Sequence, residues 1–144
     1  MMRIVADTNI LVSGLLWGGA PSRLIRLAAL GHIELWASTA TMQEFERVLG
    51  YARLQPRMRA LDVERDDMLA IAHAVLNIVP APPIQPVITA DPKDDIFLAC
   101  ALAASAQYLV SGDRHLLDLG QWRGIEMVTV NDFLDQHFPE EQTP

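Results

Sequence analysis

The sequence predicts an α/β protein, a three-layer α/β/α sandwich on a mainly parallel sheet of four or five strands. Three observations predict it. Short β-branched and apolar runs, each stopping at a polar turn, alternate with stretches of helical period along the chain. Strands spaced in this way need crossover connections, which make them parallel neighbours and cover both faces of the sheet. The chain has 144 residues, 51% hydrophobic and 20% charged, enough for one buried core and too few for two. We place one domain over residues 1–138 and a polar tail over 139–144.

Arg3 to Ala6 reads as a buried strand that stops at Asp7-Thr8-Asn9. Ile10 to Trp17 is apolar on nearly every side, as a short buried helix would be, and Gly18-Gly19-Ala20-Pro21 breaks it. Ser22 is placed to cap a second helix carrying Leu24, Ile25, Leu27, Ala28 and Leu30, which Gly31 closes. Ile33 to Ala37 is the next strand, and Ser38-Thr39-Ala40-Thr41 opens a helix with Phe45, Val48 and Leu49 on one face. From Arg57 to Asn77 the pattern is helical, in two pieces, with Met68, Leu69, Ile71, Ala72 and Val75 inward. Prolines at 80, 82, 83 and 86 make an extended connection. Asp91-Pro92-Lys93-Asp94 then opens a helix to about Ala106, apolar all round from Ile96 to Ala104 and therefore buried. Tyr108 to Val110 is a strand ending at Ser111-Gly112-Asp113, followed by a short helical turn through Leu116 and Leu117. Ile125 to Val130 is the last strand, and Asn131 is placed to cap a terminal helix from Asp132 to Phe138.

Composition narrows the functional classes. No apolar run approaches the roughly 18 residues of a membrane span, so no membrane association is expected. Asp7 comes too early for the start to be a secretory signal, and the single Cys100 cannot form an internal disulfide. A reducing, cytoplasmic setting is the expectation. The net charge of −7 argues against a broad phosphate-binding surface. Arg47, Arg53, Arg57, Arg59 and Arg65 nevertheless fall in one short stretch. They form either a local basic rim or a solvated helical surface, and pattern alone leaves both readings open.

The acids carry the chemistry. Ligands of parallel α/β sheets bind outside the carboxyl ends of the strands. Asp7 directly follows the first strand and Asp113 lies just past Tyr108–Val110. Glu44 in the first turn after Thr41, and the pair Asp94-Asp95, sit near helix starts that would share that edge. Carboxylates converging on one point repel one another and need a cation. Hard oxygen ligands select Mg²⁺ or Mn²⁺ over zinc, and such ions activate water and stabilise an in-line phosphoryl displacement. Each acid also has a purely structural reading. Thr41-x-x-Glu44 fits a capping box, Asp91-Pro92-x-Asp94 fits a helix start, and Asp7 and Asp113 could cap the segments that follow. Singly, capping is the better account; in this order along an alternating chain, a shared site is.

Val5-Ala6-Asp7-Thr8-Asn9 resembles the opening motif of PIN domains, and Ser38-x-x-Thr41-x-x-Glu44-Phe45-x-Arg47-Val48-Leu49 resembles their second. Asp91-Pro92-Lys93-Asp94-Asp95-x-Phe97-Leu98-x-x-Ala101 and Leu109-Val110-Ser111-Gly112-Asp113 resemble the third and fourth. The resemblance covers nearly the whole chain and is nearest to the toxin components of bacterial toxin–antitoxin pairs. It implies a metal-dependent endoribonuclease that holds Mg²⁺ or Mn²⁺ on Asp7, Glu44, Asp94 or Asp95, and Asp113, with Thr8, Asn9 and Ser111 in support. It further implies an RNA substrate, a homodimer and inhibition by a small cognate antitoxin protein. Ser111 stands where many relatives have Thr, which keeps the hydroxyl. Asp94 fits this subgroup's register and Asp95 that of other members; helical period does not separate them.

Two rival functions share parts of the pattern. A phosphatase of the haloacid-dehalogenase type also has an Asp after its first strand, but wants a second Asp where Asn9 stands and a well-placed Lys, of which Lys93 is the only one. A catalytically silent RNA- or protein-binding module of the same fold is the other. Beyond the acids, His115 reads as a surface histidine that could reach substrate, Cys100 as core, and Trp17 as a core or rim residue where a partner could dock.

Overall fold

The computed structural model describes residues 1–87 and 92–140. The strands are β1 (Arg3–Ala6), β2 (Glu34–Ser38), β3 (Leu76–Val79), β4 (Tyr108–Val110), β5 (Gln121–Trp122) and β6 (Ile125–Val128). They form one sheet in the order β3-β2-β1-β4-β6-β5, parallel throughout except for β5 against β6. The helices are α1 (Thr8–Leu16), α2 (Ala20–Ala29), α3 (Thr39–Leu49), α4 (Gln55–Ala60), α5 (Arg65–Val75), α6 (Asp95–Ala103), α7 (Arg114–Leu117) and α8 (Val130–His137).

Strand alternation divides the core in two. Ile4, Ala6, Leu35, Ala37 and Val110 face one layer, where they pack with side chains of α1, α2, α3, α5 and α8. Val5, Leu109, Ile125 and Met127 face the other, where α6 supplies Phe97, Leu98, Cys100 and Ala101, and α7 supplies Leu116. The expected three-layer α/β/α sandwich is what the chain forms. Gly14 is what lets α1 and α2 approach closely. A Cβ there would lie 2.4 Å from Ile25 Cδ1 and 2.7 Å from the Pro21 carbonyl oxygen.

The sheet has six strands, not four or five. β3 continues straight out of α5, because Leu76 to Val79, with β-branched Ile78 and Val79, extends once the helix ends at Val75, short of the expected Asn77. β5 is a two-residue arm turned back by Arg123 and Gly124, both at positive φ, 49° and 79°. That pairing of signs is the turn that joins right-twisted hairpin strands.

Several boundaries also move. Gly19, not Ser22, is the N-cap of α2, which places Ser22 inside its first turn. Thr129, not Asn131, caps α8 by accepting from the Asp132 amide, so the last strand stops at Val128 and Val130 is helical. The helix expected to reach Ala106 ends at Ala103, with Ser105 left-handed at φ 53°. There the Ala106 amide bonds to the Ala101 carbonyl and the Ser105 amide to that of Leu102, a helix stop normally signalled by glycine. Gly31 does close α2 in that manner, at φ 83°.

Candidate metal centre

Sheet order decides where a site can form. From β1 the chain builds outward to β2 and β3 on one side, then returns to add β4 and β6 on the other. Crossovers therefore diverge at the carboxyl ends of β1 and β4, which opens a crevice there. Asp7 leaves β1 at this point, and the Asp7 amide bonds to the Val110 carbonyl at the end of β4, 3.1 Å away.

A cavity of about 170 Å³ occupies the crevice, lined by Asp7, Thr8, Asn9, Glu44, Val48, Lys93, Asp94, Phe97 and Asp113. Four of the five acids singled out from sequence share it. A larger cleft of about 640 Å³ lies between α2 and α8, where Arg23 and Arg26 face Asp135 and Glu140. Size favours that cleft, but its mixed charges are not the convergent acids that metal chemistry needs.

Asp7 is buried, 5% exposed, and held from two sides. Its Oδ1 accepts the Ile10 amide at 3.0 Å, so it caps α1 as the structural reading required. Its Oδ2 accepts from the Ser111 hydroxyl. Ser111 Oγ in turn accepts the Asp113 amide at 2.9 Å, which orients the hydroxyl proton toward Asp7. One buried hydroxyl thus fixes two acids relative to each other. Burial is the largest influence on Asp7 and raises its pKa above the ordinary value, against the lowering effect of these hydrogen bonds; the charge of Asp113 raises it further.

Asp113 caps α7 through the His115 amide, 2.8 Å from Oδ1, and His115 Nδ1 stands 3.5 Å from the same oxygen. Potential ligand atoms of Asp94, Asp113 and His115 lie within 4.8 Å of one another. His115 therefore stands beside the acids, with an exposed ring. Sequence gave it no such role, since a histidine two residues past an acid has no distinctive spacing.

Glu44 turns out not to be a capping residue. The capping box of α3 is made by Ser38 and Thr41: Ser38 Oγ accepts the Thr41 amide at 3.1 Å, and Thr41 Oγ1 accepts the Ser38 amide at 2.8 Å. Glu44 sits in the following turn, where it forms a forked pair with Arg47. Arg47 Nη2 lies 2.7 Å from both carboxylate oxygens and Nε 3.2 Å from Oε2. Glu44 raises the pKa of Arg47 further. Arg47 Nη1 also donates to the Tyr51 hydroxyl at 2.6 Å.

The adjacent acids separate. Asp94 lines the cavity, whereas Asp95 turns away and its Oδ2 accepts the Val87 amide at 3.1 Å, fastening the proline-rich connection to α6. Asp91, expected to open this helix, lies outside the described residues. Among the supporting residues Thr8 is buried and Asn9 exposed, both beside Asp7. Thr8 Oγ1 has no hydrogen-bond partner among the described residues. An unsatisfied buried oxygen next to crowded carboxylates fits a site whose missing partner is a cation or its water.

The other candidates have ordinary settings. Cys100 is buried, and desolvation pushes its thiol up to about 11 despite hydrogen bonds with Ser38 and Thr41. Trp17 is 45% exposed with Arg57 stacked over its ring. The arginine stretch is partly committed: Arg57 Nε binds the Leu16 carbonyl at 2.7 Å and Arg65 pairs with Glu46 at 2.8 Å. Arg47 and Arg53 flank the Tyr51 ring, so a smaller basic rim stands at the end of α3.

Residues 3–115 match the family described as the PIN domain. The chain belongs to that family. PIN domains are generally metal-dependent nucleases, and the matched segment contains the acids at the crevice. No curated protein matches the sequence. Among solved structures, PAE2754 from Pyrobaculum aerophilum is similar to this PIN domain with a TM-score of 0.57 and 16% identity. The similarity covers 94% of this chain and 88% of that one and speaks for the fold. Among the described residues, no helix is long and apolar enough to cross a membrane.

Proposed function

We propose that this PIN domain is a metal-dependent endoribonuclease, using Mg²⁺ or Mn²⁺, and the toxin of a toxin–antitoxin pair. The observation that carries the reading is the convergence of Asp7, Glu44, Asp94 and Asp113 on one crevice at the carboxyl ends of β1 and β4. These four would hold the ion, with His115 beside Asp94 and Asp113 as a further donor. When bound, a divalent ion supplies water activation at neutral pH and neutralises charge on the phosphate.

The protein's own part is positioning. Ser111 keeps Asp7 and Asp113 at a fixed separation, and the Ile10 amide holds the second oxygen of Asp7. Lys93 brings a positive charge to the cavity wall, suited to a phosphate oxygen. A side-chain nucleophile is not needed, and Thr8, whose hydroxyl is buried, would be a poor one.

Resemblance to toxin-type PIN domains supports the choice of RNA, a homodimer, a cognate antitoxin and a cytoplasmic setting. The test is incubation of purified protein with single-stranded RNA and Mn²⁺, with and without chelator. Internal cuts that chelator abolishes are expected. Intact RNA at millimolar Mn²⁺ would overturn the nuclease assignment and leave a binding module of the same fold.

A further inference from the structure

The forked pair between Arg47 and Glu44 bears directly on how the centre takes up its ion. Both carboxylate oxygens of Glu44 are already engaged by one guanidinium at hydrogen-bond distance. The Glu44 side chain is 23% exposed and that of Arg47 49%, so the pair lies at the mouth of the crevice, not beneath it. A second anchor, the Tyr51 hydroxyl at 2.6 Å, holds Arg47 from the next turn of the chain, and Arg53 stands on the same ring. A carboxylate has lone pairs enough for two partners. A divalent ion and a guanidinium on the same oxygens would nonetheless stand within a few ångströms of each other and repel.

We propose that Arg47 is the cation resident on Glu44 in the metal-free protein, and that a divalent ion must displace it to complete the centre. This rests on the reading of Glu44 as a metal ligand. Arg47 is then a positioning residue with two effects. It stops Glu44 from adding to the repulsion around buried Asp7 while no ion is present, and it raises the metal concentration at which the site fills. The Tyr51 hydroxyl keeps the displaced guanidinium at the rim of the site.

The test is a calorimetric titration with Mn²⁺ alone, on the full chain and on Arg47→Ala, Arg47→Gln, Glu44→Gln and the Glu44→Gln/Arg47→Ala double variant. An exposed ion pair competes weakly, so both Arg47 variants should bind Mn²⁺ about threefold to fivefold more tightly than the parent. In the Glu44→Gln background the same Arg47 change should have no effect, which separates competition at Glu44 from simple loss of a nearby positive charge. Arg53→Ala, which removes a charge from the same aromatic ring without touching Glu44, should leave the affinity unchanged. Unaltered affinity in the Arg47 variants overturns the proposal. So does weaker binding, which would mean that Arg47 holds Glu44 ready for the ion instead of competing with it. A gain that persists in the Glu44→Gln background overturns it as well. If the parent protein shows no saturable Mn²⁺ binding, the metal centre itself fails, and this inference with it.

Discussion

Asp7 carries the sharpest conflict in the molecule, since it caps a helix, anchors a buried network and crowds another acid. Its pKa is raised by burial, so its contribution to stability is fully present below its unfolded value and is lost as pH rises through the folded one. The metal-free protein consequently pays for an ionised Asp7 at neutral pH. Replacing Asp7 with Asn should raise the metal-free melting temperature at pH 7 and flatten its pH dependence on the acid side. The same change should cut RNA cleavage by at least about a hundredfold, as loss of a major electrostatic group does. A pair of melting curves across pH 4 to 8 and one rate measurement check this; a variant that is less stable at pH 7 and fully active would contradict it. The neighbouring acids divide in the same way. Asp94→Asn should abolish metal-dependent cleavage, because Asp94 lines the crevice. Asp95→Asn should keep most of it and lose about 1 kcal/mol of stability, the worth of a weakened hydrogen bond to the Val87 amide. The reverse order of activities would move the third ligand to Asp95.

At the element scale, α1 starts on Asp7 and packs closely against α2 at Gly14, toward its other end. Gly14→Ala gains helix propensity of about 1 kcal/mol, yet its Cβ would meet Ile25 and the Pro21 backbone well inside contact distance. Overpacking of this kind costs about 1–3 kcal/mol, so the variant should melt lower despite the better helix former; a higher melting temperature would show that α2 yields freely. Elements were legible where local chemistry agreed with the final packing. β1, β4, the α3 start at Ser38 and the Gly31 stop all followed from residues that do locally what they do in the fold. They were not legible where tertiary context chose between equal local options. Leu76 to Val79 suits helix or strand, and pairing with β2 makes it strand. Arg123-Gly124 and Ser105 adopt left-handed backbone without the Asn-Gly or glycine that usually announces it. The site behaved likewise. Asp7, Glu44 and Asp113 could be named from their places after strands and along α3. The division between Asp94 and Asp95, the part of His115 and the Arg47 fork needed side chains in space, because no sequence spacing distinguishes them.

Over the whole molecule, the proposed cleavage of RNA by an acidic chain requires its positive charge to be concentrated near the crevice. Lys93 lines the crevice and Arg47 pairs with Glu44 at its mouth, with Arg53 over the neighbouring Tyr51 ring, on a chain of net charge −7. RNA affinity should therefore be weak and fall with salt, with a slope of only about two or three contacts for single strands; a steep dependence would point to a wider basic surface, such as one assembled by two copies of the chain. The same shortage of positive charge gives a bound ion its weight, since Arg47 engages Glu44 at the rim while Asp7 and Asp113 crowd each other further in. Binding to the folded state should stabilise the protein by mass action, about 2.7 kcal/mol at a hundredfold excess over the dissociation constant. The most direct measurement is a calorimetric Mn²⁺ titration of the chelator-treated protein beside its Asp113→Asn variant. Saturable binding by the parent, weakened at least tenfold in the variant, is the predicted result. No saturable binding at millimolar Mn²⁺, or equal binding by both, would contradict a centre built on these acids.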